Sequence, residues 1–362
     1  MDKILIIFGA SGNLCRTKIL PSILKERLYE GCEIILYSRN IDCDFLQALA
    51  KENDEKNIKV VQGEYTDVEK ITKMVDNKKL ALFYLCIPSH RHHSIVQCLN
   101  GLDREVVVAL EKPFFTCLKE VEDAQHFKNV KFRFIDHYLL KPLILAFPRF
   151  EHRVKPLLEN VTGVELFSLE STLAGDRVAF DKDGIFKDMV FTHLFSVYEH
   201  IFGNGSLKDL TFKDLHLKGQ YNDYEFKGSH TETFSFSVFE HKNGYNVLFI
   251  AGKGLKNKET TVKVLSTDNN VTFDIYPGKN VVSQDSVLVD TTMVEKYVKD
   301  TYVHDDYDLV LCSLVAGKEF NTVPVDRIKE MYRLLEEVNT ARTSLFFYEK
   351  GTELPEQVYS FL

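Results

Sequence analysis

The feature that most constrains the fold is an alternation in the first 136 residues, where short β-branched runs are separated by helix-length segments. These runs cover 3–8, 33–37, 58–61, 80–86, 106–110 and 131–135. Strands that alternate with helices in this way are typical of βαβ units, whose strands pair in parallel. The pattern predicts an α/β domain over residues 1–136, built on a Rossmann-like doubly wound parallel sheet.

A different pattern begins after Asp136. Helical periodicity covers 142–158 and 186–202, and strand signals follow at 231–239, 246–251, 260–265 and 271–275. A last helical period covers 328–338. Strand signals that follow one another closely indicate a mostly antiparallel sheet. We therefore expect a second, larger α+β domain over residues 137–362.

Charge and cysteine usage limit the classes of partner. The chain has 45 Lys and Arg against 53 Asp and Glu, a formal net charge of −8, so neither nucleic acid nor an anionic membrane is an expected partner. No apolar run approaches the roughly 18 residues of a membrane span. The chain enters an apolar strand at residue 3 instead of a signal peptide, which predicts a cytoplasmic protein. The seven cysteines show no C-x-x-C spacing, so we expect neither a disulfide framework nor a metal site.

A glycine-containing loop follows the first strand. It reads Gly9-Ala10-Ser11-Gly12-Asn13-Leu14, and helical periodicity continues to about residue 28. Glycines at a strand–helix junction let the backbone approach a pyrophosphate, toward which the helix N-terminus directs its N–H groups. The position favours dinucleotide binding over a plain turn.

The second strand ends at Tyr37-Ser38-Arg39. A Rossmann domain selective for NAD usually carries a carboxylate here, for the ribose 2′-hydroxyl. Arginine can instead pair with a 2′-phosphate and stack on adenine, which favours NADP as the cofactor. An exposed arginine without a role in binding is the alternative.

Several strings together resemble the successive signatures of the glucose-6-phosphate 1-dehydrogenase family, over almost the whole chain. They are residues 9–18, Glu111-Lys112-Pro113-Phe114, residues 135–141 (IDHYLLK), residues 180–189 with His193-Leu194, residues 252–255 with Lys258, residues 306–311, and residues 348–351 with Pro355. The chain is shorter than typical members. The resemblance implies NADP-dependent oxidation of glucose 6-phosphate at C1, the entry step of the oxidative pentose phosphate pathway, by a homodimer.

The resemblance also implies the catalytic residues. His193 would be the base that takes the C1-hydroxyl proton, and a histidine that titrates near neutrality suits this task. Asp136 would be the carboxylate that orients the imidazole and stabilises its cation. General-base catalysis of this kind is typically worth about 10² to 10⁴ in rate.

The same resemblance implies the binding residues. The substrate phosphate would be held by His137, Tyr138, Lys141 and Lys253, with a contribution from Lys258. The sugar hydroxyls would contact Lys112, Glu170 and Asp188. The cofactor would contact Gly9, Ala10, Ser11, Gly12, Asn13, Leu14, Lys18, Arg39, Pro88 and Lys112. Convergent cations would explain selectivity for a phosphorylated sugar.

The sequence departs from the family pattern at several positions near these strings. Asn13 stands for Asp, Phe115 for Gly, Leu140 and Pro142 for Gly and Glu, Lys187 for Arg, Phe191 and Thr192 for Gln and Asn, and Tyr276 for Gln. Phe115 and Tyr276 are bulky enough to reshape a pocket, so turnover and sugar selectivity are open at this point. Two alternatives stay open as well: a catalytically weakened NADP-binding relative, and a polyol or sugar oxidoreductase of the glucose–fructose oxidoreductase type.

Overall fold

A computed structural model describes residues 1–41, 44–46, 57–203, 205–275, 281–285, 287–288 and 306–362. The chain forms two compact units, Met1–His137 with His304–Ile328, and Tyr138–Val303 with Lys329–Leu362. The first break lies one residue after the domain boundary expected from sequence. The grouping of 304–328 with the N-terminal unit was not expected, because no local pattern reports it.

The sheet of the first unit has six strands among the described residues, paired in the order β3-β2-β1-β4-β5-β6. They are β1 Lys3–Phe8, β2 Glu33–Ser38, β3 Ile58–Gln62, β4 Leu80–Leu85, β5 Val106–Glu111 and β6 Val130–Ile135. Every pair is parallel. The predicted Rossmann-like doubly wound sheet is confirmed, and its central strands are buried along nearly their whole length, as expected for a parallel sheet covered on both faces.

The helices of the described residues, in chain order, have the following bounds. They are α1 Leu20–Lys25, α2 Val68–Val75, α3 His92–Asn100, α4 Leu118–Gln125, α5 Pro142–Val154, α6 Val178–Ile185, α7 Phe195–Phe202, α8 Asp306–Ala316 and α9 Val325–Asn339. Two segments, Cys15–Ile19 and Phe186–Leu194, are π-helical and run directly into α1 and α7. Short 3₁₀ turns lie at Leu28–Glu30, Ser89–Arg91, His137–Leu140, Lys155–Leu158, Ser206–Asp209 and Glu356–Val358. No helix among the described residues is both long and apolar enough to cross a membrane.

Helix α8 packs on α1 within the first unit, although nearly 300 residues separate them in sequence. The buried Asp308 carboxylate accepts hydrogen bonds from the Ser22 hydroxyl and from the Lys25 ammonium, both at 2.5 Å. Lys3 donates to the carbonyl of Val315 at 2.8 Å. These long-range contacts explain why 304–328 belong to the N-terminal unit.

The sheet of the second unit has nine strands among the described residues, in the order β14-β13-β12-β11-β7-β10-β9-β8-β15. They are β7 Val161–Leu169, β8 Leu210–Tyr221, β9 Phe234–His241, β10 Asn246–Gly252, β11 Glu259–Ser266, β12 Val271–Asp274, β13 Val281–Gln284, β14 Val287–Leu288 and β15 Leu345–Tyr348. The pairs β7–β10 and β8–β15 are parallel, and the other pairs are antiparallel. The predicted mostly antiparallel sheet is confirmed.

Candidate functional site

The glycine loop of the first unit turns sharply after β1. Gly9 has φ +83°, and a Cβ at this position would overlap the carbonyl of Cys86. The N–H groups of Gly9 and Ala10 donate to the Tyr37 carbonyl at 3.1 and 3.3 Å, and Gly12 donates to Gly9 at 2.9 Å. Only glycine fits the first position, so the loop makes the tight turn that the first glycine of a dinucleotide-binding loop makes.

The end of β2 lies beside this loop. The hydroxyls of Ser11 and Ser38 are 2.8 Å apart. The exposed guanidinium of Arg39 lies over the Tyr65 ring, 5.6 Å from its centroid. The Tyr65 ring in turn packs against Phe8 at 5.0 Å. The arginine predicted to select NADP is therefore at the surface, and its guanidinium lies over an aromatic ring that packs on β1.

Asn13, Lys18 and Pro88, three other predicted cofactor residues of this unit, are exposed. Asn13 accepts from the Thr17 hydroxyl through its carbonyl at 2.8 Å, which ties the loop to the π-helical segment. Lys18 lies exposed within that segment. Leu14 is half-buried and immediately precedes the segment. Pro88 is exposed and immediately precedes the 3₁₀ turn after β4.

Glu111, at the carboxyl end of β5, is a buried acid that sequence reasoning did not assign a role. The buried Tyr84 hydroxyl on β4 donates to Glu111 Oε1 at 2.5 Å. Burial is the largest effect on the pKa of Glu111 and raises it, and the nearby Asp136 carboxylate raises it as well. Tyr84 and Lys112 lower it, and the net result is a pKa of about 7. Strand ends at this edge of a doubly wound sheet carry the ligand site.

Residues 112–115 follow β5, and the last two of them are buried. Lys112 is half-buried and joined to Pro113 by a cis peptide bond. Phe115 has φ +60°, the left-handed conformation that glycine adopts readily. Its side chain is fully buried against Phe132 and Phe134, with ring centroids 6.2 and 6.1 Å away. The phenylalanine thus keeps a glycine-like backbone and places its bulk in the core.

Asp136 and His137, both in the first unit, lie just after β6. Asp136 is fully buried. His137 is half-buried, and its ring lies nearly parallel to that of Tyr307, with centroids 6.5 Å apart. The chain passes from the first unit into the second between His137 and Tyr138.

His193 lies in the π-helical segment of the second unit and is 1% exposed. Its ring stacks on Tyr138, with centroids 4.1 Å apart and planes 15° from parallel. The hydroxyl of Tyr138 is 3.4 Å from that of Ser168 on β7. The structure therefore brings together two predicted site residues that are 55 positions apart in sequence.

The π-helical geometry also bears on Asp188, which precedes His193 by five residues. In a π-helix residues i and i+5 are joined by a backbone hydrogen bond, so they stack one turn above each other. In an α-helix the same pair would point in different directions, because neighbours are spaced three or four apart. The Thr192 hydroxyl donates to the Asp188 carbonyl at 2.6 Å, and Asp188 is half-buried. The helix type thus places the predicted base about one helical turn after the predicted sugar ligand.

Lys253 and Glu170 form an ion pair in the second unit. Lys253 follows β10 and is buried, and its ammonium also lies 5.7 Å from the centroid of the Phe180 ring. Backbone bonds hold both residues: Glu170 N–H donates to the Gly252 carbonyl at 2.8 Å, and Lys253 N–H donates to the Thr233 carbonyl at 2.9 Å. The structure therefore pairs two predicted substrate ligands with each other.

The remaining predicted lysines of this unit lie at element ends. Lys141 is half-buried and precedes α5, whose first residue is Pro142. Lys258 is exposed and precedes β11. The departure at Tyr276 lies outside the described residues.

Comparison with known proteins gives consistent results. Residues 6–145 match the family model described as glucose-6-phosphate dehydrogenase, NAD binding domain. A relative from Encephalitozoon cuniculi named glucose-6-phosphate 1-dehydrogenase is 26% identical and aligned over 97% of both chains. A relative of the same name from Caenorhabditis elegans is 22% identical over 98% of this chain and 89% of its own length.

Solved structures share the fold. A glucose-6-phosphate dehydrogenase in complex with its substrate glucose-6-phosphate has a TM-score of 0.78 at 20% identity, over 100% of this chain and 97% of that one. A glucose-6-phosphate 1-dehydrogenase from Mycobacterium avium has a TM-score of 0.76 at 21% identity, over 99% and 96% of the two chains. A 3-ketoreductase from Actinomadura kijaniata, solved as a mutant with NADP, is more distant, with a TM-score of 0.65 at 12% identity over 96% and 100%.

Proposed function

The chain belongs to the glucose-6-phosphate dehydrogenase family, and we propose that it oxidises glucose 6-phosphate at C1 to 6-phosphogluconolactone, with hydride transfer to NADP. This is the entry step of the oxidative pentose phosphate pathway. The observation that carries the proposal is the stack of His193 on Tyr138, because it brings together residues from two motifs that are far apart in the sequence. We assign the N-terminal domain to NADP and the C-terminal domain to the substrate.

The chain's part in catalysis is the movement of one proton. His193 takes the proton of the C1 hydroxyl as hydride leaves the carbon, and the flat contact with Tyr138 limits rotation of the imidazole. Asp136 orients the ring and stabilises its cation in this proposal.

The pairing of Lys253 with Glu170 refines the substrate assignment. A phosphate dianion beside Lys253 would be repelled by the Glu170 carboxylate. A sugar hydroxyl can accept from the ammonium and donate to the carboxylate at the same time. We therefore assign this pair to the hexose hydroxyls, with Lys112 and Asp188, and leave the phosphate to His137, Tyr138, Lys141 and Lys258.

When bound, NADP supplies the hydride acceptor. The glycine loop fits the group, because Gly9 has φ +83° and packs directly against the Cys86 carbonyl, the tight turn that the first glycine of a dinucleotide-binding loop makes. The residues that would hold it are Gly9, Ala10, Ser11, Gly12, Asn13, Leu14, Lys18, Arg39, Pro88 and Lys112. Arg39 supplies the charge for the 2′-phosphate.

The assembly and compartment follow from the family assignment. We assign a homodimer, formed through the large sheet of the second domain, in the cytoplasm. Sedimentation of the purified protein tests the dimer, and a monomer at micromolar concentration would contradict it. Fractionation of the source cells tests the compartment.

The experiment that tests the activity follows NADPH absorbance with glucose 6-phosphate, comparing NADP with NAD and the wild type with His193→Asn. We expect turnover with NADP and a loss of about 10² to 10⁴ in kcat for His193→Asn. His152→Asn, a change of an exposed histidine on α5, is the matched control and should keep wild-type turnover. NADPH binding without turnover would favour a catalytically silent relative, and turnover of glucose but not glucose 6-phosphate would favour a polyol oxidoreductase.

A further inference from the structure

Glu232 lies just before β9 and contacts the start of the helical run that carries Asp188 and His193. We propose that Glu232 is a positioning residue for the dehydrogenase reaction, which fixes the register of this run by capping its first N–H groups. The inference rests on the proposed function, because it assigns a role relative to His193. Sequence analysis did not single out Glu232.

The cap consists of two hydrogen bonds. The N–H of Ile185 donates to the Glu232 carbonyl at 3.0 Å, and the N–H of Phe186 donates to Glu232 Oε1 at 3.3 Å. The first N–H groups of any helical run lack partners within the run. One residue therefore satisfies two of these donors, through its backbone and its side chain.

Gly184 shows why the run begins at this point. It has φ +70° and ψ 172°, which is not helical, so it breaks the helix inside α6, directly before Ile185 and the segment Phe186–Leu194. A Cβ at Gly184 would overlap the Glu232 carboxylate. The Glu232 carboxylate thus occupies the space in which a side chain at position 184 would lie, so the helix break at Gly184 leaves room for the capping carboxylate.

The neighbours of Glu232 extend the contact. Thr231 Oγ1 donates to the carbonyl of Asp181, and Ser229 Oγ donates to the Asp181 carboxylate at 2.6 Å. A short stretch before β9 therefore holds both sides of the Gly184 break. Any shift of this stretch would be transmitted to the helical run.

The same stretch also positions Lys253. Thr233 accepts from the Lys253 N–H at 2.9 Å, and the Tyr348 hydroxyl donates to the Lys253 carbonyl at 2.7 Å. Thr233 Oγ1 is 2.8 Å from the same tyrosine oxygen. Residues 232 and 233 thus contact the backbone of both the proposed base's helix and the proposed sugar ligand. A displacement here would change the geometry of the reaction as well as stability, since a misplacement of about 1 Å can cost 10²-fold in rate.

Two side-chain replacements isolate the cap. Glu232→Gln keeps an Oε1 acceptor, whereas Glu232→Met keeps most of the volume and removes the acceptor. We expect Glu232→Met to lower kcat roughly 10- to 100-fold with little change in KM for NADP, and Glu232→Gln to stay within about threefold of wild type. Glu240→Gln, at the other end of β9 in an ion pair with Lys213, is the matched control and should leave kcat unchanged.

A readout independent of turnover separates this inference from the proposed function. NMR of protein with ¹⁵N-labelled histidine reports the titration of the His193 imidazole, assigned with His193→Asn. Glu232→Met should shift that titration, and Glu232→Gln should not. If the wild type lacks activity but the shift is present, the proposed function fails and the positioning role stands.

The inference is overturned if a folded Glu232→Met protein keeps the wild-type kcat and the wild-type His193 titration. It is also overturned if Glu232→Gln loses as much activity as Glu232→Met, because the acceptor would then not be the feature that matters. Should Glu232→Met fail to fold, Glu232→Ala, which removes the acceptor without the bulk of methionine, is judged by the same two readouts.

Discussion

Glu111→Gln separates the energetic cost of a buried ionisable carboxyl from its hydrogen bonding. Glu111 is 7% exposed and accepts from the Tyr84 hydroxyl, and glutamine keeps an oxygen that can accept the same bond. Burial raises the pKa of Glu111 from 4.5 to about 7 in the folded protein. The substitution therefore removes the ionisation while it preserves the shape and the acceptor.

The sign of the effect follows from proton binding. Between pH 4.5 and 7 the unfolded chain has lost the Glu111 proton while the folded protein still holds it. Stability therefore falls as pH rises through this window, and the whole cost is present above pH 7. A shift of about 2.5 units at 1.36 kcal/mol each gives about 3 kcal/mol.

The assay is urea unfolding of the wild type and Glu111→Gln, followed by far-UV circular dichroism at pH 5 and pH 8. The two proteins should be similar in stability at pH 5, where the wild-type carboxyl is neutral. At pH 8 the variant should be more stable by about 3 kcal/mol. Glu105→Gln, an exposed glutamate just before β5, is the control and should follow the wild type at both values.

A result in which the stability difference between wild type and Glu111→Gln is the same at pH 5 and pH 8 would refute the reasoning. It would mean that Glu111 has the same pKa in the folded protein as in the unfolded chain. The compensation would then have to come from Lys112 and Tyr84, the two neighbours that favour the charged form.

Three further predictions concern single residues. Arg39→Ala should raise KM for NADP about tenfold with little effect on KM for NAD, measured by steady-state kinetics, because a charge-assisted bond is worth about 1.5–3 kcal/mol; equal effects on both cofactors would contradict the assignment. Phe115→Ala should lower the free energy of unfolding by about 3–5 kcal/mol, since a fully buried ring is removed, and a loss below 1 kcal/mol in urea titration would argue against its core role. Burial lowers the pKa of His92 to about 4, so stability should fall as pH drops from 6.5 to 4, and NMR should find the imidazole still neutral at pH 5.5.

The parallel sheet could be predicted because each strand is a short, continuous apolar run. Strand β1 has the predicted bounds, and the other five differ by one residue at an end. Strands β7 and β8 were not predicted. Gly163 interrupts the apolar pattern of β7, and β8 changes register between Phe212 and Leu215, where Asp214 has φ +57°. A bulge moves later side chains to the other face, so simple alternation is lost.

Residues of the candidate site could be predicted only where they belong to a motif that is continuous in sequence. The residues of the glycine loop and the histidine strings could be named because each string is continuous in sequence. Glu232 and Tyr84 could not, since their contacts with Phe186 and Glu111 join positions that are 46 and 27 residues apart. The helical period predicted helix over 186–202, but a hydrophobic pattern does not distinguish a π-helix from an α-helix.

Phe115 shows how one departure from the family pattern fits the fold. A bulky residue in the left-handed region costs about 1–3 kcal/mol, and burial of a phenylalanine side chain returns about 1.5–3 kcal/mol. The two terms are similar, so the chain keeps the glycine-like backbone path after Pro113 without a net loss. Because the ring packs on Phe132 and Phe134, its bulk lies in the core of the first unit. The substitution therefore places its added bulk in the core, while the backbone at position 115 keeps the left-handed conformation that glycine adopts readily.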